Sequence, residues 1–304
     1  MTPRGWAAFA AVSVLWGFPY LFIKIAVDHG ATPSFVAFGR VALAAAILLP
    51  LAARAGALRG LGARWQPLVA FAAVEIAIPF PLIAFGEQRV SSSLTAILIA
   101  TVPLTVAILA LRFDASERVD RTRFAGLLVG LAGVVLLLGI DVAGSADELL
   151  GSAAILVSVV GYAIGPMIVK RALSDVDPLG PVTVALAISA AMLAPFAVLD
   201  APATTPDASA LWSIAALGVV CTAMAFVADF ILIAEVGASR ATVITYVNPI
   251  IAVALGVTLL GESLTFAAVA GLLLILAGSW FATSGGAPPG LTAALGRAPW
   301  PRRA

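Results

Sequence analysis

The sequence predicts an all-α membrane protein whose ten transmembrane helices form two inverted five-helix repeats. Three observations support this fold class. Of the 304 residues, 62% are hydrophobic and only 11% are charged, whereas an ordinary soluble domain carries about 25% charged residues. The two halves of the chain repeat each other at a spacing of 145–146 residues. The cations also concentrate in alternate loops between apolar stretches.

The apolar stretches each have about the 20 residues that a spanning helix needs. Short segments rich in Gly, Pro, Asp and Ser separate them, which is typical of turns. The first stretch could pass for a signal peptide, but it is long enough to span and matches an internal segment, so we interpret it as a retained helix. The predicted spans are 5–27, 33–53, 65–86, 91–111, 124–140, 149–169, 178–199, 209–234, 241–260 and 264–283.

The internal repeat is carried by aromatic, cationic, proline and glycine positions. The segment GLLVGLAG at 126–133 recurs as GLLLILAG at 271–278, with six of eight residues identical. Further pairs at an offset of 146 are Trp16 with Tyr162, Lys24 with Lys170, and Pro103 with Pro249. We therefore expect a first repeat over 5–140, a second over 149–284 and a disordered cytoplasmic tail over 285–304.

Orientation follows from the cations, which favour cytoplasmic loops. With the N-terminus inside, 14 of the 17 Lys and Arg residues fall on the cytoplasmic side, and only Lys24, Arg40 and Arg89 fall in the outer half. Both termini are then cytoplasmic. Five spans per repeat force the second copy into the membrane upside down. Inverted repeats of this kind are the design of secondary transporters, whose halves rock around a site near the midplane.

Several residues match those of a known family: Trp16-Gly17, Lys24, Arg40, Ser93 to Pro103, Glu117 with Gly126 and Gly133, and in the second half Lys170, Ser239, Pro249, Leu260-Gly261-Glu262, Gly271 and Gly278. On these residues the chain resembles the ten-helix, two-EamA-domain group of the drug/metabolite transporter superfamily. Departures are Ser116-Glu117 in place of the usual Gly-Glu, and Tyr162-Ala163 where the first repeat has Trp16-Gly17.

The resemblance implies a secondary transporter of small amphipathic metabolites in a bacterial inner membrane. It favours amino acids, including aromatic ones, exported by alternating access, with export of toxic cations as the alternative. The expected partners are a small-molecule substrate and the lipid bilayer, with no nucleic acid, and the chain is expected to be a monomer or weak homodimer. An intramembrane enzyme or a structural membrane protein are further alternatives that the sequence disfavours. Since Cys221 and His29 are the only residues of their types, we expect no metal and no cofactor.

Aromatic residues at mid-depth are candidates for binding substrate. Trp16 and Tyr20 share one face of the first span, Tyr162 occupies the equivalent place in the sixth, and Tyr246 lies in the ninth. An aromatic side chain can line an amphipathic cavity with an apolar face and one polar atom. The alternative is that these rings only pack against neighbouring helices.

Glu75 is the most informative single residue. At 1.5 Å per residue it lies roughly 15 Å from the cytoplasmic face, with Arg40 at roughly 20 Å. A carboxylate at this depth costs about 2.5–3.5 kcal/mol on insertion scales, so it needs a partner, a proton or a water-filled cavity. Two hypotheses follow: a structural Glu75–Arg40 ion pair, or a Glu75 that faces the cavity and binds a substrate ammonium or a proton.

Asp229 lies closer to the cytoplasmic end of the eighth span. It is expected either to pair with Lys170 or Arg240 or to act in proton coupling. Neither Glu75 nor Asp229 has a repeat counterpart of like chemistry, since the offset of 146 places Cys221 opposite Glu75.

Prolines mark the predicted helix kinks at Pro79, Pro103 and Pro249. A proline removes one backbone hydrogen bond and frees a carbonyl, and freed carbonyls at mid-depth survive where they line a cavity. Thr101 beside Pro103 and Asn248 beside Pro249 add polar atoms at this depth, so both are candidate substrate contacts. Kinking alone is the simpler alternative.

Overall fold

The computed structural model describes residues 2–113, 121–139, 145–237 and 241–284, and within these ranges the chain is helical with no β-strand. The helices follow one another as ten rods. They are α1 (Pro3–Leu15 and Pro19–Asp28), α2 (Pro33–Arg54), α3 (Leu61–Glu87), α4 (Ser92–Ile99 and Val102–Phe113), α5 (Arg121–Leu137), α6 (Ala146–Ala172), α7 (Leu179–Leu199), α8 (Ala208–Val236), α9 (Ile244–Leu259) and α10 (Phe266–Ser284). The predicted tail over 285–304 lies outside the described residues.

The rods have the length and composition of a membrane protein. Among the described residues, eight are long and apolar enough to cross a membrane, while α9 is apolar but shorter and α5 has 17 residues. Large apolar side chains stay exposed on the outer faces of the bundle, among them Leu131, Val135, Val157 and Leu273. Such faces suit contact with lipid rather than water. The predicted all-α membrane fold is thus confirmed.

The first rod is interrupted near its middle. Its first helix begins at Pro3, where the Thr2 side chain accepts a hydrogen bond from the Gly5 N–H, and it ends at Leu15. The second helix begins at Pro19, which lacks an N–H and cannot continue the hydrogen-bond ladder. Between them, a Cβ atom on Gly17 would lie 2.6 Å from the Ile251 side chain. Glycine therefore lets α9 approach the break in α1 closely.

Two π-helical segments occur at equivalent places in the two halves. They are Ala72–Ala77 in α3 and Val219–Met224 in α8, each the third rod of its half. Pro79 follows the first segment directly, and the Ile78 N–H donates to the Ala73 carbonyl five residues earlier. Such π-bulges are rare and concentrate at functional sites. Their alignment pairs Glu75 with Thr222, one residue away from the match that a constant offset of 146 gives.

The contacts between rods show that the halves are inverted. Lys24, four residues before the end of α1, donates to the Glu87 carbonyl at the end of α3. A Cβ atom on neighbouring Gly86 would lie 3.0 Å from the carbonyl of Gly151, near the start of α6. At the opposite end Arg64, at the start of α3, donates to the carbonyl of Ala172, the last residue of α6. The first rod of the second half therefore runs antiparallel to α1 and α3.

The glycine pattern of the last rod in each half is explained by packing within the chain. Gly126 and Gly133 of α5 face Gly278 and Gly271 of α10: Cβ atoms on Gly126 and Gly133 would lie 2.9 Å from the carbonyls of Gly278 and Gly271. Small residues let membrane helices approach this closely. The seam between α5 and α10 is hence internal to one molecule.

The two ends of the bundle differ in charge, and we call them the basic end and the acidic end. The basic end carries Arg54, Arg64 and Arg121, together with a surface pair in which Arg64 Nη2 donates to Asp175 at 2.6 Å. The hydrogen bonds from Arg64 hold the pKa of the Asp175 carboxyl below its usual range. The acidic end collects Asp28, Glu87, Asp147, Glu148, Asp200, Asp207 and Glu262, with Lys24 and Arg89 as the cations of its described residues.

Candidate functional site

A cavity of about 420 Å³ lies at the centre of the bundle, and its lining comes from α1, α2, α3, α4, α6, α8 and α9. Its volume falls in the usual range of small-molecule sites, about 300–1,000 Å³. The lining extends from Ile23 and Ile83, in the halves of α1 and α3 nearer the acidic end, to Ile233 and Ala241 near the basic end. Both π-helical rods and the break in α1 therefore border this space.

Most of the residues singled out from the sequence meet at this cavity. The lining includes the predicted substrate contacts Trp16, Tyr20, Glu75, Tyr162 and Asn248, as well as Arg40, Asp229 and Pro249. Residues from both repeats thus come together around one space. Of the predicted kink residues, Pro79 and Pro103 do not line it.

Two predicted substrate contacts lie elsewhere. Thr101 is buried at 4% exposure, and its hydroxyl donates to the Leu98 carbonyl at 2.6 Å. Tyr246 faces α10 instead of the cavity: its hydroxyl lies 3.0 Å from the Thr283 hydroxyl and its ring lies against Trp280. Both residues have the depth that the sequence predicts but point in other directions.

Glu75 faces the cavity from the π-helical segment of α3. No ion pair joins it to Arg40, so the structural pair that was one of the two hypotheses is not present. Its Oε2 atom is buried and has no hydrogen-bond partner within the described residues. Room for the carboxylate comes from Gly165 of α6, where a Cβ atom would overlap the carboxylate oxygen. Glu75 is therefore left with an unsatisfied acceptor beside an open space.

Arg40 is held by Thr222 and Phe80 and not by Glu75, the partner that one of the two hypotheses expected. Its Nε donates to the Thr222 hydroxyl at 2.8 Å, and its guanidinium lies 4.0 Å from the centre of the Phe80 ring. Thr222 in turn donates to the Leu217 carbonyl. Hydrogen bonding and the cation–π contact fix the guanidinium group of Arg40, a residue that is only 8% exposed. The positive charge of Arg40 therefore lies on the cavity wall, and no described carboxylate forms an ion pair with it.

Asp229 lines the cavity nearer the basic end and is partly exposed. The described residues form no ion pair between Asp229 and Lys170, and Arg240 lies outside the described residues. The structure therefore does not contain the predicted Asp229–Lys170 pair. A second carboxylate thus borders the cavity.

Aromatic and amide groups complete the wall. Trp16 meets Phe226 edge to face with ring centres 5.7 Å apart. The hydroxyl groups of Tyr20 and Tyr162 make no hydrogen bond within the described residues, so both are available to a ligand. In the amide orientation that satisfies both its atoms, Asn248 donates to the Ser13 and Ile244 carbonyls at 3.0 Å. Asn248 therefore ties α9 to the first helix of α1, close to the break.

Sequence reasoning missed three residues of the site. Thr222 and Phe80 hold Arg40, and Phe226 packs on Trp16. A signal was present, because Thr222, Phe226 and Asp229 are spaced i, i+4 and i+7 and so share one helix face. The position of Phe80 directly after Pro79 carried no comparable signal.

Two sets of contacts lie at the acidic end of the bundle: one joins the two halves, and the other joins α1 to α3 within the first half. Glu262, in the turn between α9 and α10, accepts hydrogen bonds from the Ser92 and Ser93 N–H groups at 2.7 and 3.0 Å, which caps α4. Lys24 donates to the Glu87 carbonyl and to Asp28, each at 2.9 Å. We call these contacts the acidic-end seal.

Ten helical rods in two inverted halves, around a central cavity with an apolar wall and a few charged groups, are the architecture of a membrane carrier. The sequence pattern of the EamA-like transporter family matches residues 4–139 and again residues 149–284. These matches cover most of the chain, which therefore belongs to the EamA-like transporter family. The protein is a multi-pass membrane transporter and not an enzyme.

Several transporters resemble the chain over most of its length. An uncharacterized transporter of Archaeoglobus fulgidus is 26% identical over 278 residues, covering 90% of this chain and 97% of that protein. YedA, an uncharacterized inner membrane transporter of Escherichia coli strain K12, is 29% identical over 266 residues, covering 85% of this chain and 83% of YedA. A crystal structure aligns with a TM-score of 0.65 and 20% identity over 93% of this chain and 98% of the other, which supports the fold alone.

Proposed function

We propose that the protein carries small amphipathic metabolites, above all amino acids and including aromatic ones, across a bacterial inner membrane by alternating access, as an exporter. The observation that carries this proposal is that groups of opposite charge line one cavity together with aromatic rings, without forming ion pairs with each other. Arg40 offers a fixed guanidinium, while Glu75 and Asp229 offer carboxylates without ion-pair partners among the described residues. A zwitterion carries a carboxylate that can bind the guanidinium and an ammonium group that can bind a carboxylate.

The apolar part of the wall suits the remainder of such a solute. Trp16, Phe226 and Tyr162 present ring surfaces. The hydroxyl groups of Tyr20 and Tyr162 have no hydrogen-bond partner within the part of the chain that the structure describes. Aromatic rings with a polar atom accommodate ligands that are apolar at one end and polar at the other. A free amino acid with an apolar or aromatic side chain matches all three features of the wall.

The distribution of contacts along the cavity supports alternation between two states. At the acidic end, Glu262 of the second half binds the N terminus of α4, whereas the cavity lining reaches Ile233 and Ala241 at the basic end. In inverted-repeat carriers the two halves exchange such roles as they rock. The internal α5–α10 seam leaves the monomer as the unit that we propose for transport.

A liposome panel tests the substrate class. Purified protein should take up or release labelled leucine and phenylalanine faster than protein-free liposomes. The amides of the same amino acids lack the carboxylate and their N-acetyl forms lack the ammonium, so both should compete about tenfold less well, or more weakly still. The panel is run with and without a pH gradient.

Adding the cation tetraphenylphosphonium to the same panel distinguishes an amino-acid exporter from the alternative, a toxic-cation exporter. Tetraphenylphosphonium needs a carboxylate and aromatic rings but no guanidinium. Flux of this cation without flux of any amino acid would replace our proposal by the alternative. Absence of flux for all twenty amino acids would sink the amino-acid assignment.

Cysteine labelling tests the proposed orientation with both termini in the cytoplasm. Ala146 is exposed at the acidic end and Ala55 is exposed at the basic end, and native Cys221 is buried. In intact cells, an impermeant maleimide should label the Ala146→Cys protein and should leave the Ala55→Cys protein unlabelled until the membrane is opened. Labelling of position 55 alone would reverse the topology.

A further inference from the structure

Glu87 is a second buried carboxyl group, and it lies outside the cavity. It is the last residue of α3, within the acidic-end seal, and its exposed fraction is 0%. Both carboxylate oxygens are buried without a hydrogen-bond partner among the described residues. An ionised carboxylate is very costly to bury without a partner. This position therefore needs an explanation.

No ion pair joins a cation to the Glu87 carboxylate among the described residues, although the positive charge of Lys24 nearby favours the ionised form. The Lys24 ammonium binds the Glu87 backbone carbonyl and pairs with Asp28 instead of the Glu87 side chain. The positive charge of Arg40 acts on the Glu87 carboxylate only from a distance, because the guanidinium is bound to Thr222. The nearest cation along the chain, Arg89, donates to the Phe85 carbonyl and lies over the Phe85 ring.

The remaining neighbours make ionisation harder. Glu262 and Asp28 place further negative charge near Glu87, and both Glu262 oxygens already accept from the N terminus of α4. From α6, the residues against this turn of α3 are Gly151 and Ile155, which carry no charge, while Asp147 and Glu148 lie in its first turn. The burial of this carboxyl group, together with the nearby anions, favours its neutral form over its ionised form.

We infer that Glu87 is a proton-binding site that controls the acidic-end seal. The closed seal holds Glu87 with its proton. When the seal opens, water reaches the carboxyl group and accepts that proton, and the resulting carboxylate opposes closure. Low pH at the acidic end thus favours the closed seal, and rising pH favours opening. This inference rests on the proposed alternation but not on the proposed solute.

The device acts at one end only. The repeat offset of 146 places Ile233 opposite Glu87, and Ile233 lines the cavity near the basic end. Lys24 is anchored in the seal, whereas its counterpart Lys170 is exposed. The two ends of the carrier are therefore predicted to respond differently to pH.

Electron-spin distances across the seal provide the test, because nitroxide labels do not titrate in this range. Labels replace His29, at the end of α1, and Leu264, in the turn after α9, both of which are exposed. The protein is measured in nanodiscs without any solute. As pH rises from about 5.5 to about 8.5, the ratio of long to short distances should increase, by up to about tenfold per pH unit for one released proton.

Two variants make the result specific. Glu87→Gln keeps the shape of the side chain and removes the proton site, so the short distance should persist at every pH. If that variant does not fold, Glu87→Leu is expected to behave alike. Asp147→Asn removes an exposed carboxylate at the same end and should respond as the parent does.

A pH-independent distance ratio in the parent, or a Glu87→Gln protein that keeps the parent's response, would overturn the inference. Since no solute is present, either result leaves the proposed substrate class untouched. Conversely, a failed liposome panel leaves this measurement valid.

Discussion

Replacing Glu75 by Gln is expected to reduce amino-acid flux by about 10- to 100-fold while leaving the folded protein as stable as the parent or more stable. The Glu75 carboxylate has an unsatisfied oxygen and no ion pair among the described residues, so removing its charge breaks no structural contact. A hydrogen bond to a charged group contributes about 1.5–3 kcal/mol, and the flux loss follows from that range. Initial flux in liposomes and the midpoint of thermal unfolding are measured together.

The matched control for this experiment is Glu148→Gln. Glu148 lies in the first turn of α6 at the acidic end, outside the cavity, and the substitution is chemically identical. It should leave both flux and stability near the parent values. Parent-like flux combined with a lower unfolding midpoint in Glu75→Gln would assign Glu75 a structural role instead.

Gly165→Ala tests the position of the Glu75 carboxylate without removing its charge. The added methyl would overlap the Glu75 carboxylate, which must then rotate away from its place in the wall. A comparable loss of flux with the carboxylate still present would show that its position, and not only its charge, matters.

The fold could be predicted from the sequence because the chain is an internal duplication. Apolar stretches and alternating loop charge marked the rods, and the repeat implied that they form two inverted halves. Depth along a helix was predictable too, because it follows from counting residues at 1.5 Å each. Glu75, Arg40 and Trp16 accordingly lie at the central cavity.

The direction in which a side chain points around its helix axis was not predictable in the same way. Tyr246 has the expected depth but faces Trp280 and Thr283. The π-helical segments add to this problem, since the extra residue per turn changes the phase of every side chain beyond it. Arg40 could be placed at mid-depth, yet its choice of Thr222 over Glu75 depends on which faces of α2, α3 and α8 meet.

The two halves share their mechanics and differ in their chemistry. Both carry a π-helical third rod, which gives each half a place where helical hydrogen bonding changes. At equivalent positions in those segments, the first half has Glu75, which forms no ion pair with any described residue, and the second has Thr222, which holds Arg40. An inverted pair with unlike side chains can thus rock symmetrically around a wall that binds an asymmetric solute.

The largest loss of stability is expected from Gly278→Ala in the α5–α10 seam. In an unobstructed helix, replacing Gly by Ala stabilises by about 0.5–1 kcal/mol. At Gly278 the new Cβ would lie 2.5 Å from Gly130 Cα and 2.7 Å from the Gly126 carbonyl oxygen. These are backbone atoms, which cannot rotate away, so α5 and α10 must separate along the seam. We expect a net destabilisation of about 1–3 kcal/mol.

The change should appear as a lower midpoint of thermal unfolding in detergent, by roughly 2–4 °C for each kcal/mol. Gly62→Ala provides the comparison, because a Cβ atom on Gly62 would meet no atom within 4 Å and should leave the midpoint unchanged or raised. If Gly278→Ala unfolded at the parent temperature, the helices would have to be farther apart than these contacts require. The glycines would then have to act elsewhere, and a seam between two molecules would become the better explanation of the repeated pattern.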